Sequence, residues 1–199
     1  MSGKASVIPH APELFTQLEE LLHGLHEISS EALGLPKDYF RRFYDSSHPH
    51  AAASGHAGYA MRLAHYPPQV TPTLPQQYRY GAHRDYGGFT ILKADAADWR
   101  CDGAAGLEVW VDASQQWVPV KIPEEIPTPN DILIVNAGDF IHRWTNEKWN
   151  SALHRVSNPV PGSEAAQRSR LSIVFFSGPM DDAVIPVMEG INGEARFPP

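Results

Sequence analysis

The sequence predicts a mostly β fold with N-terminal helices, in which a helical segment is followed by a double-sheet jelly roll. Two observations predict this fold class. Near the N-terminus, apolar residues recur at three- and four-residue spacing, which is typical of an amphipathic helix. Beyond residue 58, short apolar runs alternate with polar and Pro-rich turns, which is typical of antiparallel strands.

The N-terminal segment contains the clearest helical pattern. Pro12 suits a first helical turn, and Gly34 followed by Pro36 suits a helix end. One apolar stripe is formed by Leu14, Leu18, Leu21, Leu22, Leu25 and Ile28. A shorter helix is predicted over residues 36–44, and residues 45–58 are predicted to form a loop.

The rest of the chain is predicted to form about eight short strands. They are expected at residues 60–66, 88–93, 107–111, 117–122, 132–136, 151–157, 169–177 and 184–187. Residues 95–106 and 159–168 are expected to be surface loops. The sequence contains neither an internal repeat nor a convincing linker. We therefore expect one structural domain, in which a helical segment, residues 1–50, packs on a barrel formed by residues 51–199.

The composition disfavours several classes of protein. A hydrophobic fraction of 42% and a charged fraction of 20% are those of an ordinary globular protein rather than a disordered chain. A net charge of −7 without a basic stripe disfavours a nucleic-acid partner. Cys101 is the single cysteine, so no internal disulfide can form, and no apolar run is long enough to span a membrane. We expect a cytoplasmic protein that binds neither nucleic acid nor membrane and acts on a small molecule.

The segment GAHRDYGG contains a candidate metal site. His83 and Asp85 are two residues apart at the start of a predicted strand, so both side chains should lie on one face. With a third histidine they would form the facial triad of non-haem iron(II). His154 is the favoured third ligand and His142 the runner-up. Taken alone, a His-x-Asp pair is weak evidence for a metal site, and a chance or surface pair is the favoured interpretation. The remaining helix and loop histidines are expected to be solvated: His10, His23, His26, His48, His50 and His56.

Two further strands contain candidate carboxylate-binding residues. Arg170 and Ser172 share a face of the strand at 169–177, and a guanidinium beside a hydroxyl can bind a carboxylate. The alternative for Arg170 is a salt bridge to a surface acid. Tyr66 ends the strand at 60–66, where its phenol either donates to the same carboxylate or simply packs.

Together these elements resemble the isopenicillin N synthase-like family of Fe(II)/2-oxoglutarate-dependent oxygenases. The resemblance follows the family's order and covers roughly residues 58–185. The matching stretches are MRLAHYPP, GAHRDYGGFTIL, GLEVWVDASQQWVPVKIP, NDILIVNAGDFIHRWTNEKWNSALHRVSNP and RSRLSIVFFSGPMDDAVI.

The resemblance implies a double-stranded β-helix, which is a cupin-like jelly roll. It implies that iron(II) is held by His83, Asp85 and His154, which are then also the catalytic residues. It implies that the far carboxylate of 2-oxoglutarate is held by Arg170, Ser172 and Tyr66. The expected enzyme is a dioxygenase that uses O2, with ascorbate as reductant in vitro. It would hydroxylate, desaturate or cyclise a small organic molecule and release succinate and CO2.

The sequence also departs from the family pattern. The family's Asn-x-Tyr has Ala64 in place of Asn, and the middle residue of His-x-Asp, commonly Thr, is Arg84. From this sequence we expect the family's usual N-terminal domain to be missing, which leaves open an exposed site, weak catalysis or completion by a second subunit in a homo-oligomer. Alternatives that remain are an iron oxidase of the same family without 2-oxoglutarate, a non-catalytic jelly-roll binding module and a zinc hydrolase. Arg62 and Arg84 could meet an acidic substrate, although surface charge is the simpler account.

Overall fold

The structure is a computed structural model that describes residues 10–74, 76–94, 106–122, 125, 132–188 and 190–197. The strands are β1 Ala60–Tyr66, β2 Tyr80–His83, β3 Phe89–Ala94, β4 Leu107–Val111, β5 Gln116–Pro119, β6 Ile134–Ala137, β7 His154–Val156 and β8 Arg170–Phe176. The helices are α1 Ala11–Ala32, α2 Asp139–Trp144 and α3 Glu164–Gln167, together with a 3-10 helix at Arg41–Phe43.

The strands form two four-stranded sheets in which every pairing is antiparallel. Their orders are β1-β8-β3-β6 and β2-β7-β4-β5. Successive strands change sheet at every connection except the one between β4 and β5. This winding is that of a double-stranded β-helix, and it confirms the predicted jelly roll.

Helix α1 covers the outer face of the first sheet. Its apolar stripe buries Leu18 and Leu22 in one cluster with Ile91 of β3 and Phe175 of β8. Because side chains alternate along a strand, the neighbours of these residues point to the opposite face, between the two sheets. The first sheet is therefore apolar toward α1 and free to carry functional side chains on its inner face. No helix in the described ranges is both long and apolar enough to cross a membrane.

Several predicted element bounds are corrected by the structure. Residues 60–66 and 107–111 are strands as predicted. Strand β2 is not among the predicted strand ranges, and His83, expected at the start of a strand, is instead its last residue. Residues 184–187 are not a strand, because this segment packs Ile185 on the core and the following Met188 amide donates to the carbonyl of Trp144 at 2.9 Å. Residues 36–44 form turns around the short 3-10 helix rather than an α-helix.

The two predicted surface loops have different outcomes. Residues 159–168 are not entirely loop, because they contain the four-residue helix α3, where the Ser163 hydroxyl accepts a hydrogen bond from the amide of Ala166. This is the side-chain bond typical of a helix N-cap. The other predicted loop, residues 95–106, lies outside the described residues apart from Gly106, and Cys101 lies within that undescribed part.

His26 is buried, although a solvated side chain was expected. Its position four residues after Leu22 places it on the inward stripe of α1, where it is only 1% exposed. Its ring lies 5.4 Å from that of Phe40, 4.3 Å from Tyr44 and 5.9 Å from Phe89, measured between centroids. Burial, with a smaller effect from His23, lowers the pKa of His26 to about 3. The ring is therefore neutral at physiological pH.

Candidate metal centre and co-substrate pocket

The three predicted metal ligands meet where β2 and β7 pair. His83 is the last residue of β2 and His154 the first of β7, and they are direct partners in the antiparallel register. Their ring centroids are 4.2 Å apart. Asp85 was expected to lie on one strand with His83. Instead it follows β2 and lies in the connection to β3. The turn at the end of β2, rather than strand alternation, returns the carboxylate to the two imidazoles.

The ligand atoms form a compact group. Oδ1 of Asp85 lies 3.6 Å from Nε2 of His83 and 3.9 Å from Nε2 of His154. All three ligand atoms lie within 4.8 Å of one another. Within the described ranges no other group of three His, Cys, Asp or Glu side chains converges in this way.

Both imidazoles are oriented by backbone carbonyls. Nδ1 of His83 lies 2.9 Å from the carbonyl oxygen of Gly81, and Nδ1 of His154 lies 2.8 Å from that of Ala152. A carbonyl oxygen only accepts, so Nδ1 of each ring must carry the proton. The lone pairs on Nε2 are then directed at a common point, as in protein metal sites where the second ring nitrogen fixes the tautomer.

The second oxygen of Asp85 is fixed by two donors that the sequence analysis did not identify. Oδ2 accepts from Thr90 Oγ1 at 2.8 Å and from Asn136 Nδ2 at 2.9 Å. Thr90 on β3 and Asn136 on β6 are direct cross-strand partners. A signal for Asn136 was present in the sequence, since it is an amide inside the otherwise apolar strand β6. The two donors leave Oδ1 available to a cation.

The backbone around Asp85 is held by the start of α2. The amide of Asp139 donates to the carbonyl of Asp85 at 2.7 Å, and the amide of Gly138 donates to that of Gly88 at 2.8 Å. A Cβ at position 138 would lie only 2.6 Å from the Asp85 carbonyl oxygen, so this close approach requires glycine. The pair Gly138 and Asp139 therefore positions the segment that carries Asp85.

Two residues do not contribute to the candidate metal site: His142, the alternative third ligand, and Arg84, the middle residue of the His-x-Asp motif. His142 lies on α2, outside the ligand group, with Nδ1 2.9 Å from the carbonyl oxygen of Trp149. Arg84 donates from Nη1 to the carbonyl of Ser151. The arginine therefore ties the segment before β7 to the turn that carries Asp85.

The donor set fits iron(II). Two imidazole nitrogens and one carboxylate oxygen are the ligands of the facial triad, which leaves further coordination positions for other molecules. Zinc accepts the same donor types, so the protein ligands alone do not separate the two metals.

The predicted carboxylate-binding residues line the same cavity as the triad. Arg170 and Ser172 lie on the inner face of β8 and are 6% and 3% exposed. Tyr66 pairs with Arg170 across β1 and β8, and the guanidinium carbon lies 4.4 Å from the centroid of its ring. The ring of Tyr66 thus packs against the guanidinium, and this cation–π contact can orient the fork of Arg170.

The cavity of about 170 Å³ lies between the two sheets. Its apolar wall consists of Ala64, Leu92, Leu107, Val156, Val174 and Phe176. Asp85 is the single carboxylate among the described lining residues, whereas two guanidinium groups, those of Arg62 and Arg170, line it. A cation bound by Asp85 would leave the cavity with a surplus of positive charge, which favours anionic ligands.

Comparisons with known proteins agree with this geometry. The chain is 35% identical over 154 residues to the 2-oxoglutarate-dependent dioxygenase caaD of Aspergillus niger, and the match covers 77% of this chain and 41% of that protein. It is 32% identical over 184 residues to 1-aminocyclopropane-1-carboxylate oxidase 3 of Cucumis melo, which covers 92% of this chain and 48% of that protein. The chain thus spans less than half the length of either relative.

A solved structure with the same architecture is that of a full-length Neurospora crassa protein in complex with alpha-KG and thymine. The TM-score is 0.72 at 28% identity, over 91% of this chain and 48% of that chain. The 2OG-Fe(II) oxygenase superfamily matches residues 57–179, which is more than half of the sequence. The chain belongs to this superfamily, and the resemblance inferred from its motifs is confirmed at that level.

Proposed function

We propose that this protein is an Fe(II)- and 2-oxoglutarate-dependent dioxygenase that oxidises a C–H bond of a small organic molecule. The outcome would be hydroxylation, desaturation or ring closure. The observation that carries the proposal is a single cavity lined both by the His83, Asp85 and His154 cluster and by the buried pair Arg170 and Ser172.

In this proposal the triad holds the metal and fixes its position. His83 and His154 would donate through Nε2 and Asp85 through Oδ1, while the hydrogen bonds to its Oδ2 prevent the carboxylate from rotating. Iron(II) together with 2-oxoglutarate and O2 would supply the oxidising power, with succinate and CO2 as co-products and ascorbate as an in-vitro reductant.

The inner face of β8 would bind the co-substrate. The fork of Arg170 can hold a carboxylate through two parallel hydrogen bonds, and the hydroxyl of Ser172 can add a third. Both side chains are buried, so a carboxylate bound there would be largely withdrawn from water. The apolar wall formed by Leu92 and Val174 excludes water from the same space.

A second candidate is an iron-dependent oxidase that does not use 2-oxoglutarate. It is favoured by the similarity to 1-aminocyclopropane-1-carboxylate oxidases, which extends over 92% of this chain in one case. In that enzyme Arg170 and Ser172 would bind a carboxylate of the substrate itself. Oxygen uptake measured with and without 2-oxoglutarate distinguishes the two candidates.

The test is succinate production by the purified protein supplied with iron(II), ascorbate, O2 and 2-oxoglutarate, with calorimetric binding of 2-oxoglutarate measured in parallel under anaerobic conditions. We expect iron-dependent succinate that is lost in Asp85→Ala and His154→Ala, and retained in a control variant of an exposed histidine, His50→Ala. Normal succinate production by Asp85→Ala would overturn the triad assignment. Failure of the iron-loaded protein to bind 2-oxoglutarate would overturn the dioxygenase proposal.

A further inference from the structure

Arg62 is a second cationic group of the cavity, distinct from the proposed co-substrate site. It lies on β1, where it shares the inner face with Ala64 and Tyr66. Its register partner on β8 is Val174, whereas Arg170 pairs with Tyr66, four residues further along β1. At about 3.3 Å per residue, the two arginine positions are separated by roughly 13 Å along the sheet.

Along the strand direction of the first sheet, Arg62 lies nearer than Arg170 to the residues that hold Asp85. Val174, its partner, pairs in turn with Leu92 on β3. The next inward-facing row contains Phe176, Thr90 and Asn136, and the last two hold the carboxylate of Asp85. The inward-facing row that contains Arg62 is therefore directly adjacent to the row that contains Thr90 and Asn136.

The guanidinium of Arg62 has no hydrogen bond or ion pair with any described residue. The guanidinium instead lies over the ring of Phe176, whose centroid is 5.9 Å from the guanidinium carbon. Other arginines are paired, as Arg155 is with Glu108 at 2.6 Å and Arg41 with Asp45 at 3.2 Å. A cation that lines a cavity and has no hydrogen bond or ion pair with the described residues is available to an anionic ligand.

We propose that Arg62 is the specificity-determining residue for the substrate, and that the substrate is a small organic acid with an apolar body whose carboxylate binds Arg62. The inference rests on the proposed function, because it assigns the substrate of that same site. The apolar body would contact Leu92, Val174 and Phe176, which surround Arg62 on the inner face of the first sheet. Arg170 would remain occupied by the co-substrate.

The test measures binding without turnover. The protein is loaded with Mn(II) and saturated with N-oxalylglycine, an unreactive analogue of 2-oxoglutarate, and the binding of N-oxalylglycine is measured first. Octanoate and 3-phenylpropanoate are then titrated beside their primary amides. Affinity is measured by calorimetry, and proximity to the metal by the broadening that Mn(II) causes in the proton NMR lines of each probe.

We expect at least one acid to bind about tenfold or more tightly than its amide, the scale of a charge-assisted hydrogen bond, with its lines broadened by Mn(II). Arg62→Gln should abolish this preference and Arg62→Lys should keep part of it. The control Arg196→Gln, which changes an exposed arginine paired with Glu147, should leave it unchanged. Equal thermal stability of the variants excludes a folding defect.

Each other result overturns the inference. Equal binding of acids and amides, no binding of any probe, or a preference that survives Arg62→Gln would remove the role of Arg62, while bound N-oxalylglycine would leave the proposed function standing. If N-oxalylglycine itself does not bind the metal-loaded protein, both the proposed function and the inference fail.

Discussion

The two oxygens of Asp85 have different surroundings. Oδ2 is held by Thr90 and Asn136, and Oδ1 faces the two imidazoles. The carboxylate is 6% exposed, so water competes little for either oxygen. The strand pair β3–β6 therefore determines which oxygen can meet a metal ion.

Removing the amide of Asn136 should weaken metal binding. In Asn136→Leu one of the two donors to Oδ2 is lost, and the carboxylate can rotate away from the imidazoles. We expect iron(II) affinity to fall by about 10- to 100-fold, the usual scale for a hydrogen-bond partner of a metal ligand. Anaerobic metal titration measures it, with Asn150→Leu at an exposed asparagine as control. Unchanged affinity in Asn136→Leu would show that Thr90 alone suffices.

Replacing Arg170 should weaken co-substrate binding. Arg170→Ala removes a buried guanidinium, which in the proposed function is the charged partner of the far carboxylate of 2-oxoglutarate. The expected cost is roughly 2–5 kcal/mol of binding free energy, the scale for breaking a buried charge pair. Calorimetry on the metal-loaded protein measures this cost. Arg168→Ala is the matched control, because Arg168 is exposed and pairs with Glu164 at 3.6 Å. If Arg168→Ala alone loses affinity, the role belongs to Arg168.

At the scale of the element, helix α1 buries a histidine that cannot easily become charged. The unfolded chain takes up a proton at this side chain as the pH falls through about 6.5, whereas the folded protein does so only near pH 3. Between these values the unfolded state binds more protons, so stability is lost as the pH falls and is fully present above about pH 6.5.

Replacing His26 by phenylalanine should remove this pH dependence. The aromatic surroundings suit a phenyl ring, which has no nitrogen to protonate. We expect the unfolding free energy of His26→Phe, relative to the parent protein, to rise by roughly 2 kcal/mol between pH 7 and pH 5. Urea unfolding at several pH values measures it, beside His50→Gln at an exposed histidine. A constant difference across this range would contradict the buried, neutral state of His26.

The sequence predicted strands well where alternation determines burial. In β1 and β4 both ends agree with the prediction, because each strand is a continuous apolar or alternating run between turns. Strand β2 was missed because Gly81 and Ala82 give it no apolar pattern, and it exists through its pairing with β7. The predicted strand 184–187 was wrong for the opposite reason, since its apolar pattern reflects the packing of Ile185 on the core, while Val184 is exposed and the segment has no partner strand among the described residues.

The convergence of the three proposed ligands was easier to predict than their surroundings. His83, Asp85 and His154 stand in recognisable motifs, and the structure brings their side chains together. Thr90 and Asn136 act through the register of β3 with β6, which a single sequence does not reveal. The burial of His26 likewise depends on where Phe40 and Tyr44 fold back onto α1.

At the scale of the whole molecule, we propose that the helical segment 1–50 and the barrel 51–199 form one cooperative unit. The core cluster joins Leu22 of α1 to Phe40, Trp144 of α2 and Phe175 of β8. Circular dichroism, which reports largely on α1, and tryptophan fluorescence should therefore give the same urea midpoint.

A core variant supplies the control for cooperative unfolding. Leu22→Ala should lower both midpoints equally, at a cost of about 2–5 kcal/mol for a fully buried leucine. If the helical signal were lost at a lower urea concentration than the fluorescence signal, the two segments would be separate folding units.

The position of β8 has a consequence for how the molecule is made. A ribosome releases the chain from its N-terminus, so β8 is the last of the eight strands in the described residues to emerge, yet it lies between β1 and β3. Strands β1 and β3 can therefore form their hydrogen bonds with β8 only after β8 has been synthesised. Arg170 and Ser172 lie on this same strand, so a nascent chain that already contains the three proposed metal ligands still lacks its proposed co-substrate site. The proposed ability to generate an oxidant would thus be acquired only after β8, the last strand among the described residues, has joined the barrel.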